Sequence, residues 1–449
     1  MSQLNNKNKK PLTISEKLKI LRKNAGMTQA EFSEAIWSNP TKVSRAESGE
    51  DEYNEEEINA ARKHFGIEDM PLTELEREAF KARLDFWRDL IKDHRLEEAK
   101  EIEETVSPIL MLEDFERDLA IFYRSIEVLS LLTCGALDEA EEKLSYLENV
   151  LVGMNTENRY YYHSLMGSLY AMRHKYKDAL KFYEKADEIS ESRFCDISLD
   201  EKGRLYVNMA YCHTKLESHL NAIILLNQVQ ETGIKNRITH YSLSADISLA
   251  VNYIKIGEYK KARRILDKCL VQAKGIRDNL YVGIVFLNLG LLHMNISDWD
   301  EAIRQLDVAL LILKKAHSKS DHYTLSFYYK IRCLIYLKKF READRELAQI
   351  TIEDNVDDMR KILYKSLRRI LFISKSKTVY NEEAAEYIEH ITVPYFIDFG
   401  DCYEAVKCLE LLSDYYLTTR KSGKSIEMRL AIGEIYKRML IKQEDGDIL

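Results

Sequence analysis

Proline and glycine are scarce, at 5 and 16 in 449 residues. β-Turns, hairpins and the phosphate-cradling crossovers of nucleotide enzymes draw on those two residues, so their scarcity excludes a sheet-built enzyme and predicts an all-α chain. No apolar run is long enough to span a bilayer. The most apolar stretch, Tyr281 to Met294, is short and contains Asn288 and His293, and reads as a buried helix. Residues 1–10 are polar and basic without an apolar core, so no secretory signal is expected; a cytoplasmic protein with no membrane partner follows. The seven cysteines (134, 195, 212, 269, 333, 402, 408) are odd in number and form no Cys-x-x-Cys pair, which predicts reduced core residues. Catalytic signatures are missing as well. There is no glycine-rich phosphate loop, no His-Glu-x-x-His and no Gly-x-Ser-x-Gly, so no catalytic residue, metal ligand or cofactor is expected, and the run Glu55-Glu56-Glu57 reads as a solvated helix face.

What is present is an ordinary folded composition, 45% hydrophobic and 31% charged. At about 100–200 residues per domain the length implies two to four domains or one elongated repeat array. A net charge of −8 excludes a protein that coats nucleic acid along its whole length. The charge is uneven, however, with nine Lys/Arg against five Asp/Glu in residues 1–50.

Residues 14–66 read as a small helical module. Ile14, Leu18 and Leu21 share one helix face, and Gly26 suits the stop that follows. Thr28 with Glu31 forms a capping box opening a helix over about 29–36. Pro40 stands at the first turn of a third helix, through Ala46, which Glu47-Ser48-Gly49 ends. Two short helices joined by a tight turn is the helix-turn-helix plan.

These residues resemble the Cro/repressor-like (XRE) helix-turn-helix family at Leu21-Arg22, Gly26-Met27-Thr28-Gln29, Phe32-Ser33, Lys42-Val43-Ser44-Arg45 and Glu47-Ser48-Gly49. The resemblance implies that the third helix enters a major groove, with Asn39, Thr41, Lys42, Ser44 and Arg45 at bases and phosphates and Gln29 on a phosphate. It departs from the family at Trp37, where a turn glycine is usual, and at Ala46, where a larger apolar residue is common. One such module makes few contacts, so two copies on a palindromic double-stranded operator are expected.

From about residue 80 a period appears. An aromatic three residues before an alanine recurs at Tyr176/Ala179, Tyr259/Ala262, Trp299/Ala302 and Phe340/Ala343. Weaker copies extend the anchor series to 99, 140, 179, 222, 262, 302, 343, 384 and 425, a step of about 41 residues. Small residues twelve positions earlier (Gly167, Ala210, Ala250, Gly290, Ser413) let paired helices approach closely. This resembles the tetratricopeptide repeat, whose usual step is about 34, so longer helices or loops are expected. A right-handed superhelix of nine helix pairs follows. His213 and His293 fall on core aromatic positions and are expected to pack. The predicted division is a DNA-binding domain over 1–66, a linker over 67–79 bracketed by Gly66 and Pro71, and a repeat domain over 80–449 for peptide binding and oligomerisation. Thr73 with Glu76 resembles a capping box opening the first repeat helix.

In such an array the first helix of each pair lines the concave side. The alanine register places Arg204, Asn208, Tyr211 and Lys215 there, then Asn288 and Asn295, then Tyr329 and Arg332. Asparagines bond both backbone groups of an extended peptide, tyrosines offer stacking area, and the cations suit acidic side chains or a terminal carboxylate. A repressor-type head on these repeats resembles the RRNPP peptide-pheromone receptors, most nearly the NprR type. That resemblance implies a transcription regulator whose dimers or higher homo-oligomers are rearranged by a short signalling peptide. Two other readings compete: a Rap-like protein that binds or dephosphorylates a response regulator, and a protein-binding scaffold. The aromatic run Tyr395, Phe396, Phe399, Tyr403, Tyr415 and Tyr416 is expected to be core rather than dimer surface.

Overall fold

The computed structural model describes residues 13–67, 73–113, 116–193, 195–231, 240–316, 320–349, 358–375 and 380–444. Four short helices form the head: α1 (Ile14–Asn24), α2 (Gln29–Ala35), α3 (Pro40–Ser48) and α4 (Glu55–Phe65). Thr13, Thr28 and Asn54 each open a helix with a complete capping box, and Asn39 caps α3 ahead of Pro40, so each head helix starts on a side chain that satisfies an orphan backbone donor. Leu18, Phe32, Ile36, Val43, Ala46 and Ala61 are fully buried between them. Ala46 therefore packs despite its size. Trp37 stands 80% exposed at φ 54, taking the left-handed turn itself where the resembling family places glycine.

Nineteen further helices follow: α5 (Glu74–Lys92), α6 (Leu96–Val106), α7 (Arg117–Cys134), α8 (Leu137–Val150), α9 (Thr156–Met172), α10 (Tyr176–Ser190), α11 (Leu199–Lys215), α12 (His219–Glu231), α13 (His240–Lys255), α14 (Tyr259–Gly275), α15 (Asn279–Asn295), α16 (Trp299–Ala316), α17 (Asp321–Tyr336), α18 (Phe340–Ala348), α19 (Asp358–Lys375), α20 (Glu382–Tyr387), α21 (Val393–Phe399), α22 (Cys402–Thr418) and α23 (Ser422–Glu444). A π-turn, Ile388–Thr392, joins α20 to α21, so these two act as one interrupted second helix. The described helices then make nine pairs, α5/α6 through α22/α23, and the fold is all-α with tetratricopeptide-like repeats. α5 opens at Glu74 on the Thr73/Glu76 capping box, inside the span read from sequence as linker.

Every anchor of the period lies on a second helix and is buried, from Ala99 at 3% exposure to Ala302 at 0% and Ser425 at 3%. The small residues explain the pairing distance: a Cβ on Gly290 would stand 2.7 Å from Leu306 Cγ. The long step goes with helices of 13–18 residues in the middle repeats. The stretch from Tyr281 to Met294 is inside α15 and largely buried. Of the cysteines, 212, 269, 333 and 408 are buried, whereas Cys134 is exposed at the end of α7. Among the described residues, no helix is long and apolar enough to cross a membrane.

The chain forms two compact units, Met1–Leu169 with Lys185–Asp196, and Tyr170–Glu184 with Ile197–Leu449. In the first, the head is tied to the opening repeats by buried charge. Lys17 on α1 and Arg77 on α5 both reach Glu116, at 2.7 and 3.1 Å, and the Glu116 side chain is 2% exposed. In the second, two apolar clusters run through α13–α15 and through α15–α23. Phe396, Tyr415 and Tyr416 are core, while Tyr403 is 41% exposed.

Candidate functional site

The predicted DNA-contacting side chains separate into two groups. Thr41, Ser44 and Arg45 project from α3 to solvent, with Arg45 in only a loose pair with Glu50 at 3.9 Å. Asn39, Lys42 and Gln29 are engaged within the head. Asn39 Oδ1 accepts from the Lys42 backbone N–H at 2.8 Å, the Lys42 ammonium pairs with Glu57 at 2.7 Å, and the Gln29 side-chain amide donates to Glu47 at 2.9 Å. Glu47 also holds Arg22 at 2.6 and 2.9 Å. Burial alone would raise the Glu47 carboxyl, but Arg22 and Gln29 hold it below the usual range. Over residues 13–67 eight Lys/Arg face ten Asp/Glu, so the positive excess of the first fifty residues does not extend to the whole head.

The predicted groove residues are all on first helices. Arg204, Asn208, Tyr211 and Lys215 form one stripe on α11. Arg204 pairs with Asp200 at 2.9 Å, and Tyr211, 47% exposed, meets the Tyr176 ring edge-on. Asn288 is 6% exposed, and both it and Asn295 donate an amide N–H to their own helix, at Ile284 and Leu291 (2.9 Å each). Tyr329 and Arg332 on α17 are buried. His293 lies 3.3 Å from Asp298 and from Arg263, and burial pushes the His213 imidazole down.

Lys215, Tyr329 and Arg332 converge on one feature, the turn between α21 and α22. Lys215 Nζ donates to the Phe399 carbonyl at 2.7 Å and stands 3.8 Å over that ring. Tyr329 donates to Asp401 at 2.9 Å; Arg332 pairs with Glu404 at 2.6 Å, and Tyr328 donates to the same carboxylate at 2.7 Å. Lys255, at the end of α13, pairs with Asp401 at 2.9 Å. Glu217 accepts from the Cys402 backbone N–H at 3.3 Å and faces His219 at 3.0 Å, which in turn faces Asn252 at 2.9 Å. Burial alone would raise the Asp401 carboxyl, but Lys255 and Tyr329 hold it below the carboxylate range. Burial pushes the Lys215 ammonium down to about 8, against the upward pull of Asp401. Beside Arg332 a cavity of about 530 Å³ opens among α17, α18, α19 and α22, with Tyr336, Phe340, Lys407, Asp414 and Tyr415 in its wall.

No family profile matches the chain. It is similar to the regulatory protein RapG of Bacillus subtilis (strain 168), 25% identical over 267 residues that cover 58% of this chain and 70% of RapG. It is also similar to the transcriptional activator NprA of Geobacillus stearothermophilus, 24% identical over 261 residues, or 58% of this chain and 63% of NprA, just under two thirds of that relative's length. Solved structures share the fold. A Rap protein complexed with competence and sporulation factor aligns at a TM-score of 0.66 with 14% identity, over 81% of this chain and 99% of the other. The apo quorum sensor NprR from B. thuringiensis aligns at 0.62 with 18% identity, over 80% and 99%. These relatives and fold neighbours support a likeness to the RRNPP family of peptide-responsive regulators.

Sequence reading missed several polar groups of this site. Lys255 had a signal, since it stands seven residues before anchor Ala262 as Lys215 stands before Ala222. Asp401 and Glu404 had a local one only: Asp401 caps α22 by accepting from the Glu404 N–H at 3.3 Å. Glu217 and His219 lie side by side in one turn, but the links that place them, to the Cys402 N–H and to Asn252, come from other repeats and carry no local signal.

Proposed function

We propose that this chain is an RRNPP-type transcription regulator that binds a palindromic DNA operator as a dimer or higher homo-oligomer and is switched by a short peptide in the groove lined by its first helices. The observation that carries the DNA half is the head itself. α2 and α3 make a capped helix-turn-helix, and α3 presents Thr41, Ser44 and Arg45 to solvent on the side where a major groove would be read. Gln29 and Lys42 are available to phosphates once Glu47 and Glu57 exchange them, which makes operator affinity steeply salt-dependent. The α11 stripe, Arg204, Asn208, Tyr211 and Lys215, supports the peptide half. It offers a cation at each end and an amide and a phenol between them. NprA, a transcriptional activator, is a relative by sequence.

Mobility shift of DNA fragments flanking the gene, with and without peptides from neighbouring small reading frames, tests this reading. Arg45→Ala should weaken a specific shift by about 1–3 kcal/mol, or roughly 5- to 150-fold, while leaving the fold unchanged. Asn208→Ala combined with Asn288→Ala should abolish the peptide response and leave apo DNA binding intact. A Rap-like reading, binding a response regulator in place of DNA, is favoured by one observation: the acid excess over residues 13–67. Absence of any shift, with co-purification of a receiver-domain protein, would establish that reading instead.

A further inference from the structure

Three of the polar positions at which the first helices would take a ligand, Lys215, Tyr329 and Arg332, are in contact with the chain's own α21–α22 junction. Five bonds reach it from three first helices and the α11–α12 turn: Lys215 to the Phe399 carbonyl, Lys255 and Tyr329 to Asp401, Arg332 to Glu404, and Glu217 to the Cys402 N–H. The segment runs from the end of α21 through a left-handed Gly400 into the first turn of α22, with Asp401 facing Lys255 and Glu404 facing Arg332, as the acid groups of a bound peptide would. The two backbones also pass close to each other. Gly400 sits at φ 76, and a Cβ there would stand 2.9 Å from the Lys215 carbonyl oxygen and 3.0 Å from Lys215 Cα. Glycine is needed at this point twice over, for the left-handed turn and for the contact.

We propose that the turn Phe399–Glu404 is an internal latch occupying the ligand groove, and that the ligand class is a short peptide whose own carboxylate displaces Asp401 from Lys255 and Tyr329. The inference rests on the reading that the first-helix groove takes a peptide. It adds which chemistry the peptide must carry and what it must displace. Latch and ligand exclude one another, so latch strength sets ligand affinity: a closed turn reduces the competent fraction and the apparent affinity in proportion.

Two glycines separate the latch from simple backbone strain. Gly400 and Gly257 both stand at positive φ, 76 and 82, but a Cβ on Gly257 meets nothing within 4 Å. Hydrogen–deuterium exchange of the full chain should therefore show amides of 210–217 and 399–404 exchanging at least tenfold faster in Gly400→Ala than in Gly257→Ala. Equal exchange in the two variants would overturn the latch. The second arm uses a named probe, the acetylated and amidated peptide spanning residues 397–404 with serine at 402. It should bind Gly400→Ala at least tenfold more tightly than the unaltered chain, and the same peptide carrying asparagine for Asp401 should lose tenfold. A latch that opens while the peptide binds both proteins equally, or neither, would overturn the ligand assignment. If Gly400→Ala does not fold, Asp401→Asn in the chain keeps the α22 cap and removes the charge facing Lys255, and the same two readouts apply. Neither arm uses DNA, so a chain that latches but shifts no operator loses the regulator reading alone.

Discussion

At the residue scale, Lys215 carries its charge into a buried place where it meets a carbonyl and a ring rather than a carboxylate. Its ammonium is held near 8 in the folded chain against an ordinary 10.5, with Asp401, Lys255 and Glu217 as the charges around it. Between those values the unfolded chain binds the extra proton, so on this residue's account stability rises as pH goes from about 8 to about 10.5. The thiols of Cys212, Cys269, Cys333 and Cys408, each pushed up to about 12 by burial, act oppositely, because the folded chain keeps their protons. The Lys215 share is thus a difference between two proteins. In urea melts at pH 7.5 and 9.5, the unaltered chain should gain about 1–2 kcal/mol relative to Lys215→Met. A constant difference would show that the ammonium is not desolvated. Much of the α11 stripe was legible from helical spacing and the alanine register. Asn288 and Asn295 show the limit of that reading, for position cannot reveal that an amide bonds its own helix.

At the element scale, the scarcity of glycine has a structural counterpart. Residues 94, 135, 174, 217, 257, 297, 338 and 420 are each five before an anchor, and all turn left-handed between the two helices of a pair. Only Gly135 and Gly257 are glycine; the others are His94, His174, Glu217, Ser297, Lys338 and Arg420. A left-handed residue with a Cβ costs about 1–2 kcal/mol, while glycine adds about 0.5–1 kcal/mol of unfolded-state entropy. His94→Gly and Arg420→Gly, both on exposed turns, should therefore each stabilise by about 0.5–1 kcal/mol, read as a higher midpoint in denaturant melts. A loss of stability would mean that the side chain contributes a contact worth more than the strain. The helix pairs themselves were legible because the small residues and anchors that bring them together are local and recur. The turn geometry was not, since no composition rule places histidine or arginine at positive φ.

At the scale of the whole molecule, the period of about 41 residues correctly marks nine pairs, and the capped head is readable ahead of them. What no period reports is contact between repeats far apart in sequence. Lys215 meets Phe399 across 184 residues and Lys255 meets Asp401 across 146, each partner belonging to a different local pattern. A linear repeat array gains stability from nearest neighbours and frays from its ends. The Gly400 contact changes that statistical character in the second unit. It imposes a loop closure whose entropy is recovered only when α11, α13, α17 and α22 are all in place, which raises contact order and ties their melting together. The second unit should accordingly unfold as one step, with a denaturant slope that falls in Gly400→Ala as the carboxyl-terminal pairs begin to melt on their own. The glycine that lets two backbones touch thus decides whether these repeats behave as a chain of independent links or as a ring that opens only as a whole.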